Sequence, residues 1–271
     1  MNHSIFRIFF GLLLVFGAAA AAAQGSPQVI NIPLSRPGEP IALEIGILSA
    51  RIEVIGEDRQ DAQFEISASD TGRKIVTPSG TKSLKGGSFA FEIEEDDNEI
   101  SVDTDWRANK VFLTARIPQR ADLYLSTTND GEIIVSNVTG SLELGNTNGP
   151  ITATGISGAV IAESVSDDID IGFRAVAPDS AMSMESVNGN LTVRLPANAG
   201  AQLYLDSSQG EILSDFEVEV QPSKPVIERD DHKSGVSVRV ENTIVANVNG
   251  GGPVIRLKTL NGDINIRKAG N

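Results

Sequence analysis

Apolar and polar positions alternate along most of this chain, and from Gly131 onward the alternation repeats every nine residues. The blocks begin at Gly131, Gly140, Gly149, Gly158 and Asp167. Their third positions are Ile133, Leu142, Ile151, Val160 and Ile169, and their fifth positions are Val135, Leu144, Ala153, Ala162 and Ile171. Because every second side chain of a strand points to the same face, each block predicts a short strand with one buried face. The glycine that opens each block predicts a turn between strands.

The same pattern returns after two interruptions, near 175–187 and 215–243. Gly189 is followed by apolar residues at its third and fifth positions, and so is Gly262 near the C-terminus. The repeat therefore extends from about residue 121 to 271.

The residue before the glycine alternates in kind, so two blocks form one structural unit of 18 residues. Asn148-Gly149 and Asn261-Gly262 mark one end of the unit, whereas Thr139-Gly140 and Ser157-Gly158 mark the other. This predicts an all-β fold, a two-sided β-solenoid in which each coil gives one strand to each of two facing sheets. The alternative is an antiparallel β-meander or sandwich, in which Asn-Gly would form hairpin turns. The third and fifth positions stay apolar from block to block. This favours the solenoid, because in stacked coils the same position of each repeat lies above the same position of the previous one.

Residues 24–120 predict a less regular β region, which we expect to be continuous with the repeat region 121–271 as one domain. The predicted strands are Val29–Leu34, Ile41–Ile45, Arg51–Ile55, Gln63–Ser67, Phe89–Ile93, Ile100–Asp103 and Val111–Ile117. Between the fourth and fifth of these, Asp70–Gly87 is rich in glycine, serine and basic residues, which predicts a projecting loop.

Residues 1–23 have the pattern of a secretory signal peptide. Arg7 precedes an apolar run, six alanines follow it, and the small residues Ala21–Ala23 predict cleavage before Gln24. The alternative is an uncleaved membrane anchor, but the stretch Ile8–Ala23 is shorter than the roughly 20 residues of a spanning helix. We therefore expect an exported protein, periplasmic or at the cell surface, with no stable membrane insertion after cleavage.

Composition narrows the range of partners. The chain has 22 basic and 36 acidic residues, a formal net charge of −14, and no cysteine. An acidic protein repels nucleic acid and anionic lipid, so nucleic acid is not an expected partner. Without cysteines, an exported chain must hold its core without disulfide bonds.

Three stretches of the sequence resemble the bacterial family of putative adhesins, which are exported β-strand repeat domains. The stretches are RIPQRADLYLSTTNDGEIIVSNVTGSLELGNTNGPITATGISGAV, VRLPANAGAQLYLDSSQGEI and VNGGGPVIRLKTLNGDINIRK. The resemblance covers roughly 40–271 and implies a secreted or surface-displayed β protein without catalytic residues. The resulting prediction is a non-catalytic protein with an adhesin-like binding or structural role at the cell envelope, and an envelope protein or glycan as its partner.

No catalytic, cofactor-binding or metal-binding residue is predicted. His232 is the only histidine after the signal peptide, and its charged surroundings predict a solvated loop. Glu94–Glu99 collects oxygen ligands suited to calcium, but a solvated hairpin tip explains that run better. Asp167, Asp168 and Asp170 gather further oxygen ligands, but Asp167-Asp168 is better explained as a turn in which aspartate replaces glycine.

An enzyme that acts on polysaccharides is the alternative function. Asp168 and Asp170 are two positions apart on one strand, about 7 Å, a spacing compatible with a pair of hydrolytic carboxylates. For the binding function, the expected surface is the strand face at the second and fourth positions, where Ile134 and Ile161 would lie beside Glu143, Thr152 and Asp170.

Overall fold

A computed structural model describes residues 27–68, 91–104, 110–178, 182–222, 226–232, 235–241 and 243–270. All regular structure in these residues is β, so the all-β prediction is confirmed. The strands are β1 (Gln28–Pro33), β2 (Ile41–Ile47), β3 (Ala50–Glu57), β4 (Asp61–Ala68), β5 (Phe91–Asp96), β6 (Glu99–Thr104), β7 (Val111–Pro118), β8 (Ala121–Thr127), β9 (Glu132–Ser136), β10 (Leu142–Asn146), β11 (Ile151–Ser157), β12 (Val160–Ser164), β13 (Ile169–Ala175), β14 (Met182–Asn188), β15 (Leu191–Leu195), β16 (Ala201–Gln209), β17 (Ile212–Ser214), β18 (Val218–Gln221), β19 (Val226–His232), β20 (Gly235–Glu241), β21 (Ile244–Val248), β22 (Val254–Asn261) and β23 (Ile264–Lys268). The predicted signal peptide, residues 1–23, and the predicted loop Asp70–Gly87 lie outside the described residues.

Strands β8 to β15 alternate between two large sheets, sheet A with the odd-numbered strands and sheet B with the even-numbered ones. Leu142 pairs with Val160 in sheet B, and Ile133, Ile151 and Ile169 pair in series in sheet A. Each of these pairs joins parallel strands 18 residues apart. Within this part of the repeat, the strands thus stack as coils rather than pair as the antiparallel hairpins of a meander.

The predicted interior columns are buried between the two sheets. Ile133, Ile151, Val160 and Ile169 have no exposed surface, and Leu142 is 2% exposed. The fifth-position residues, from Val135 to Ile171, are buried as well, and all ten belong to one core that continues to both ends of the stack. The predicted strand register is confirmed.

The glycines of the turns stand in columns because the backbones of neighbouring coils nearly touch there. A Cβ atom on Gly149 would lie 1.7 Å from the carbonyl oxygen of Gly131, and one on Gly158 would lie 2.0 Å from that of Gly140. The carbonyl of Asp167 takes the corresponding place beside Gly189, at 2.1 Å from the Cβ position. Aspartate therefore replaces glycine in this column, as predicted.

In five adjacent strands of sheet B, β8, β10, β12, β14 and β22, the last buried residue is polar. The buried members of this ladder are Thr127, Asn146, Ser164, Ser186 and Thr259. The Thr259 hydroxyl donates to the Gly189 carbonyl at 2.9 Å, and the Ser186 hydroxyl donates to the Asp167 carbonyl at 3.3 Å. These bonds supply donors to carbonyls at the corner where the chain leaves sheet B for sheet A, a place where strand pairing ends.

The coils at the two ends of the stack are out of sequence order. The last coil, β22 with β23, lies between the coil of β14 and β15 and the coil of β16 and β17. At the other end, the coil of β2 and β3 lies between β8–β9 and β6–β7. The segment 41–118, predicted to be irregular, therefore supplies parallel coils of the same stack.

Antiparallel strands complete the structure at both ends. β4 and β1 extend sheet A, β5 extends sheet B at the same end, and β21 and β18 extend sheet B at the other. β19 and β20 form a separate two-stranded hairpin. The backbone of His232 ends strand β19, so the prediction that this segment is a loop is wrong.

Candidate binding face

Several ion pairs connect neighbouring chain segments on the outward face of sheet A. Arg116 contacts Glu57 at 2.7 Å and Arg267 contacts Asp215 at 3.0 Å. Arg51 and Glu132 form a third pair, and Arg194 and Asp170 a fourth. In each of these four pairs, the two opposite charges neutralise each other across adjacent chain segments, so neither is available to a partner.

These contacts also engage the two carboxylates considered for hydrolysis. Asp170 is paired with Arg194, and the Asp168 side chain accepts a hydrogen bond from the backbone N–H of Asn190 at 2.7 Å. Each carboxylate therefore has a partner within the stack that supports the fold.

Sheet B carries a different set of outward residues. One cross-strand row, here called the tyrosine row, consists of Glu44, Tyr124, Glu143, Ile161, Ser183, Arg256 and Tyr204, in the order set by strand pairing. The protein has two tyrosines, and both belong to this row. Tyr124 is 48% exposed and Ile161 is 42% exposed. The guanidinium of Arg256 lies over the Tyr204 ring, 5.1 Å from its centre.

Small residues beside the tyrosine row leave a shallow groove. Gly46, Ser126 and Gly145 occupy consecutive strands at the next outward position. The groove has a volume of about 420 Å³, and Glu44, Tyr124, Glu143 and Ile161 line it together with these small residues. The missing side-chain bulk thus exposes the flank of the Tyr124 ring.

An apolar strip borders the groove at the strand ends. Val165, Val187 and Leu260 directly follow the paired residues of three adjacent strands and are 44%, 40% and 47% exposed. They line a second groove of about 580 Å³ that shares Ser126, Gly145 and Glu163 with the first. The two grooves and the tyrosine row form one continuous surface on sheet B, here called the B face.

The carboxylates of the B face are less engaged than those of sheet A. Within the part of the chain that the structure describes, no hydrogen bond or ion pair engages the side chain of Glu44, Glu143 or Glu163. Their charge is therefore available to a partner.

The predicted binding surface is only partly correct. Ile161 and Glu143 lie on the B face, but Ile134, Thr152 and Asp170 lie on sheet A, on the opposite side of the molecule. Consecutive blocks contribute to opposite sheets, so the prediction of a single face is wrong. Sequence reasoning missed both tyrosines, although the repeated Leu-Tyr-Leu of 123–125 and 203–205 was a readable signal.

The acidic run Glu94–Glu99 has a structural role. Asp97 and Asn98 form the hairpin turn between β5 and β6, both with positive φ. Glu95 accepts hydrogen bonds from the N–H groups of Ser35 and Asn98, at 2.9 and 3.0 Å. This carboxylate thus ties the hairpin tip to the loop before β2, and the predicted hairpin is confirmed.

The described residues contain neither a cluster of metal ligands nor a long apolar helix. Across these ranges, no group of three or more His, Cys, Asp or Glu side chains is arranged to hold a metal ion. The same ranges contain no helix that is long and apolar enough to cross a membrane.

Comparison with solved structures gives distant likenesses. A structure from Clostridium sporogenes, described as a putative cell adhesion protein, matches with a TM-score of 0.40 and 12% identity over 90% of this chain and 100% of that one. A putative adhesin from Parabacteroides distasonis matches with a TM-score of 0.28 and 9% identity, over 90% and 98% of the two chains. Another from Parabacteroides merdae has a TM-score of 0.27 and 8% identity, over 89% and 96%. No family model and no curated protein matches the sequence. At these scores the likenesses establish neither family nor function.

Proposed function

We propose that this chain is a non-catalytic, adhesin-like binding protein of the bacterial cell envelope, and that the B face is its binding surface. The contrast between the two outward faces supports this proposal. Four arginine–carboxylate pairs occupy the outer face of sheet A, whereas the B face combines exposed aliphatic side chains, both tyrosines and carboxylates without partners among the described residues. Exposed apolar patches bordered by polar groups are typical of interaction sites.

Export is part of the same proposal, on the basis of the signal-like residues 1–23. Mass spectrometry of the protein recovered from its natural source should give an N-terminus at or near Gln24. Recovery of a chain that begins at Met1 in the membrane fraction would instead indicate an uncleaved anchor.

The binding role can be tested by sedimentation of purified protein with envelope fractions. The double variant Tyr124→Ala/Ile161→Ala should lose most of the binding, because it removes two exposed side chains of the B face. The matched control is Phe112→Ala/Ile134→Ala, which removes an exposed aromatic residue and an aliphatic residue from sheet A. Equal loss in both variants, or binding in neither the variants nor the parent, would contradict the proposal.

A further inference from the structure

We infer that the tyrosine row binds a linear polysaccharide that carries free amino groups, with its chain lying across the strands of sheet B. This inference rests on the proposed binding function of the B face and specifies the chemistry of its ligand. Three features of the row support it, namely its spacing, its aromatic rings and its charge.

The row offers one outward side chain per strand at a regular spacing. Neighbouring strands lie about 4.8 Å apart, and five strand intervals separate Tyr124 from Tyr204, so the backbones at the two tyrosines are about 24 Å apart across the sheet. A polysaccharide advances by a similar distance for each pyranose ring. An extended chain that crosses the strands can therefore place consecutive sugars over consecutive side chains.

The tyrosines provide flat apolar surfaces at both ends of this span. Tyr124 is 48% exposed beside the small residues of the groove, so a sugar ring can reach it. The Tyr204 hydroxyl is in contact with the Gln202 side chain at 3.4 Å, and Arg256 lies over one side of the ring. These contacts hold Tyr204 in place. Val245 of β21 pairs with Tyr204 on its other side, so this half-buried ring offers a sugar a smaller surface than Tyr124 does. Amphipathic rings of this kind suit ligands with both apolar and hydrogen-bonding surfaces.

The charge of the row favours amino groups over neutral or acidic sugars. Strand pairing places Glu44 and Glu143 on either side of Tyr124, and among the described residues neither has a partner. An ammonium group above the Tyr124 ring would gain a cation–π contact and two carboxylate neighbours. The same carboxylates would repel uronic acids and sulfated sugars.

An extended peptide fits this surface less well. Peptides that bind sheets as added strands need free backbone N–H and C=O groups at a sheet edge. The strands of the row from β2 to β16 are paired on both sides, so their backbone groups are engaged. A peptide could therefore contact only the side chains of the row, not its backbone.

Calorimetric titration with defined oligosaccharides tests the inference. The purified protein should bind a β-1,4-linked glucosamine hexamer. The fully N-acetylated hexamer lacks the ammonium groups, so its affinity should be lower by a factor of at least about five. A galacturonate hexamer should not bind. Affinity for the glucosamine hexamer should fall as salt is raised, since exposed charge pairs are screened.

Matched variants locate the site. Tyr124→Ala and Glu143→Gln should each weaken binding of the glucosamine hexamer severalfold, whereas the sheet A variants Phe112→Ala and Glu65→Gln should bind like the parent. Circular dichroism melts of all four variants check that the fold is intact.

Several outcomes would overturn the inference. One is equal affinity for the glucosamine and N-acetylated hexamers, and another is equal affinity for hexalysine, which would indicate a general cation-binding surface. No binding of the glucosamine hexamer would have the same consequence. If envelope sedimentation still depends on Tyr124 and Ile161 and is abolished by protease treatment of the envelope, the partner is a protein. In that case the proposed function stands and the polysaccharide inference fails.

Discussion

At the scale of single residues, the stack requires glycine where two coils approach each other most closely. Gly149 combines a φ of +149° with a Cβ position only 1.7 Å from the neighbouring carbonyl oxygen. By contrast, a Cβ atom on Gly145 would meet only the Ser126 side chain, at 4.0 Å. Glycine thus has two roles in this chain. In the turns the close backbone contact requires it, and in the groove its missing side chain leaves the surface open.

Gly149→Val should lower the free energy of unfolding by more than about 1 kcal/mol, because a β-branched side chain meets both backbone strain and the Gly131 carbonyl. Urea denaturation followed by circular dichroism measures the change. Gly145→Ala is the control and should stay within about 0.5 kcal/mol of the parent. A Gly149→Val variant as stable as the parent would mean that the coils can separate at this turn without cost.

Asp215 makes stability depend on pH. The hydrogen bond from the Arg267 side chain, followed by that from the Lys268 backbone N–H, lowers the pKa of Asp215 below its ordinary value. A carboxyl group whose pKa is lower in the folded state contributes stability above its unfolded pKa of about 3.9, and loses that contribution as pH falls through the folded value.

Asp215→Asn should therefore destabilise the protein at pH 6, and the difference from the parent should shrink below about pH 4. Urea titrations at pH 6, 4.5 and 3 would measure it. Glu65→Gln serves as the control, because Glu65 is an exposed sheet A carboxylate without a partner among the described residues. A difference between parent and Asp215→Asn that stays constant with pH would contradict the assignment.

At the scale of elements, neighbouring residues of a strand point to opposite faces, so a buried side chain and an outward one are only one position apart. In β11, Ile151 has no exposed surface, whereas its neighbour Thr152 is half-buried on the outer face of sheet A. A shift of one residue in register would exchange the two faces along the whole strand.

Ile151→Ala should cost about 2–5 kcal/mol of unfolding free energy, the range for removing a large buried side chain. Thr152→Ala should change stability by no more than about 0.5 kcal/mol. Hydrogen exchange on Ile151→Ala should show lost protection around 131–171 and retained protection in β1 to β4, because each coil mainly contacts its neighbours. Uniform loss along the chain would instead indicate a single cooperative unit.

At the scale of the whole molecule, the C-terminal coil is inserted between two coils that precede it in the chain. The C-terminal coil, β22 with β23, is an interior layer that joins β14 to β16 in sheet B and β15 to β17 in sheet A. Its removal would leave a gap inside the core rather than shorten the stack, since Ile255 and Ile264 are fully buried.

Truncation after Gly252 should therefore abolish the cooperative urea transition of the C-terminal half, or prevent folding of that half altogether. The control removes a comparable length from the hairpin of β19 and β20. Because Gln221 pairs with Val245, residues 223–243 can be replaced by Asn-Gly, which would join β18 to β21 through a tight turn. That variant should keep the cooperative transition. If instead the truncated chain unfolds like the parent, β22 and β23 do not form an interior layer.

The sequence by itself determined the strands and the buried columns. The period of nine residues is a local property, because the alternation of apolar side chains and the position of glycine follow from strand geometry and turn geometry alone. Seven predicted N-terminal strands match β1 to β7 within a few residues, and every residue of the two apolar columns is buried. Asp167 stands where the nine-residue period places a glycine, so its position in a turn could also be predicted from the sequence.

Only the tertiary structure decided which strands are neighbours and which outward residues share a face. The position of the last coil between two earlier ones depends on long-range pairing, because β22 would fit equally well beside any strand with the same buried columns. The B face likewise gathers Glu44, Tyr124, Glu143 and Tyr204 from distant parts of the chain. Apart from the repeated Leu-Tyr-Leu of 123–125 and 203–205, the outward positions show no regular pattern, since solvent tolerates nearly any side chain there. The candidate site was thus hidden in the part of the pattern that the hydrophobic core does not constrain.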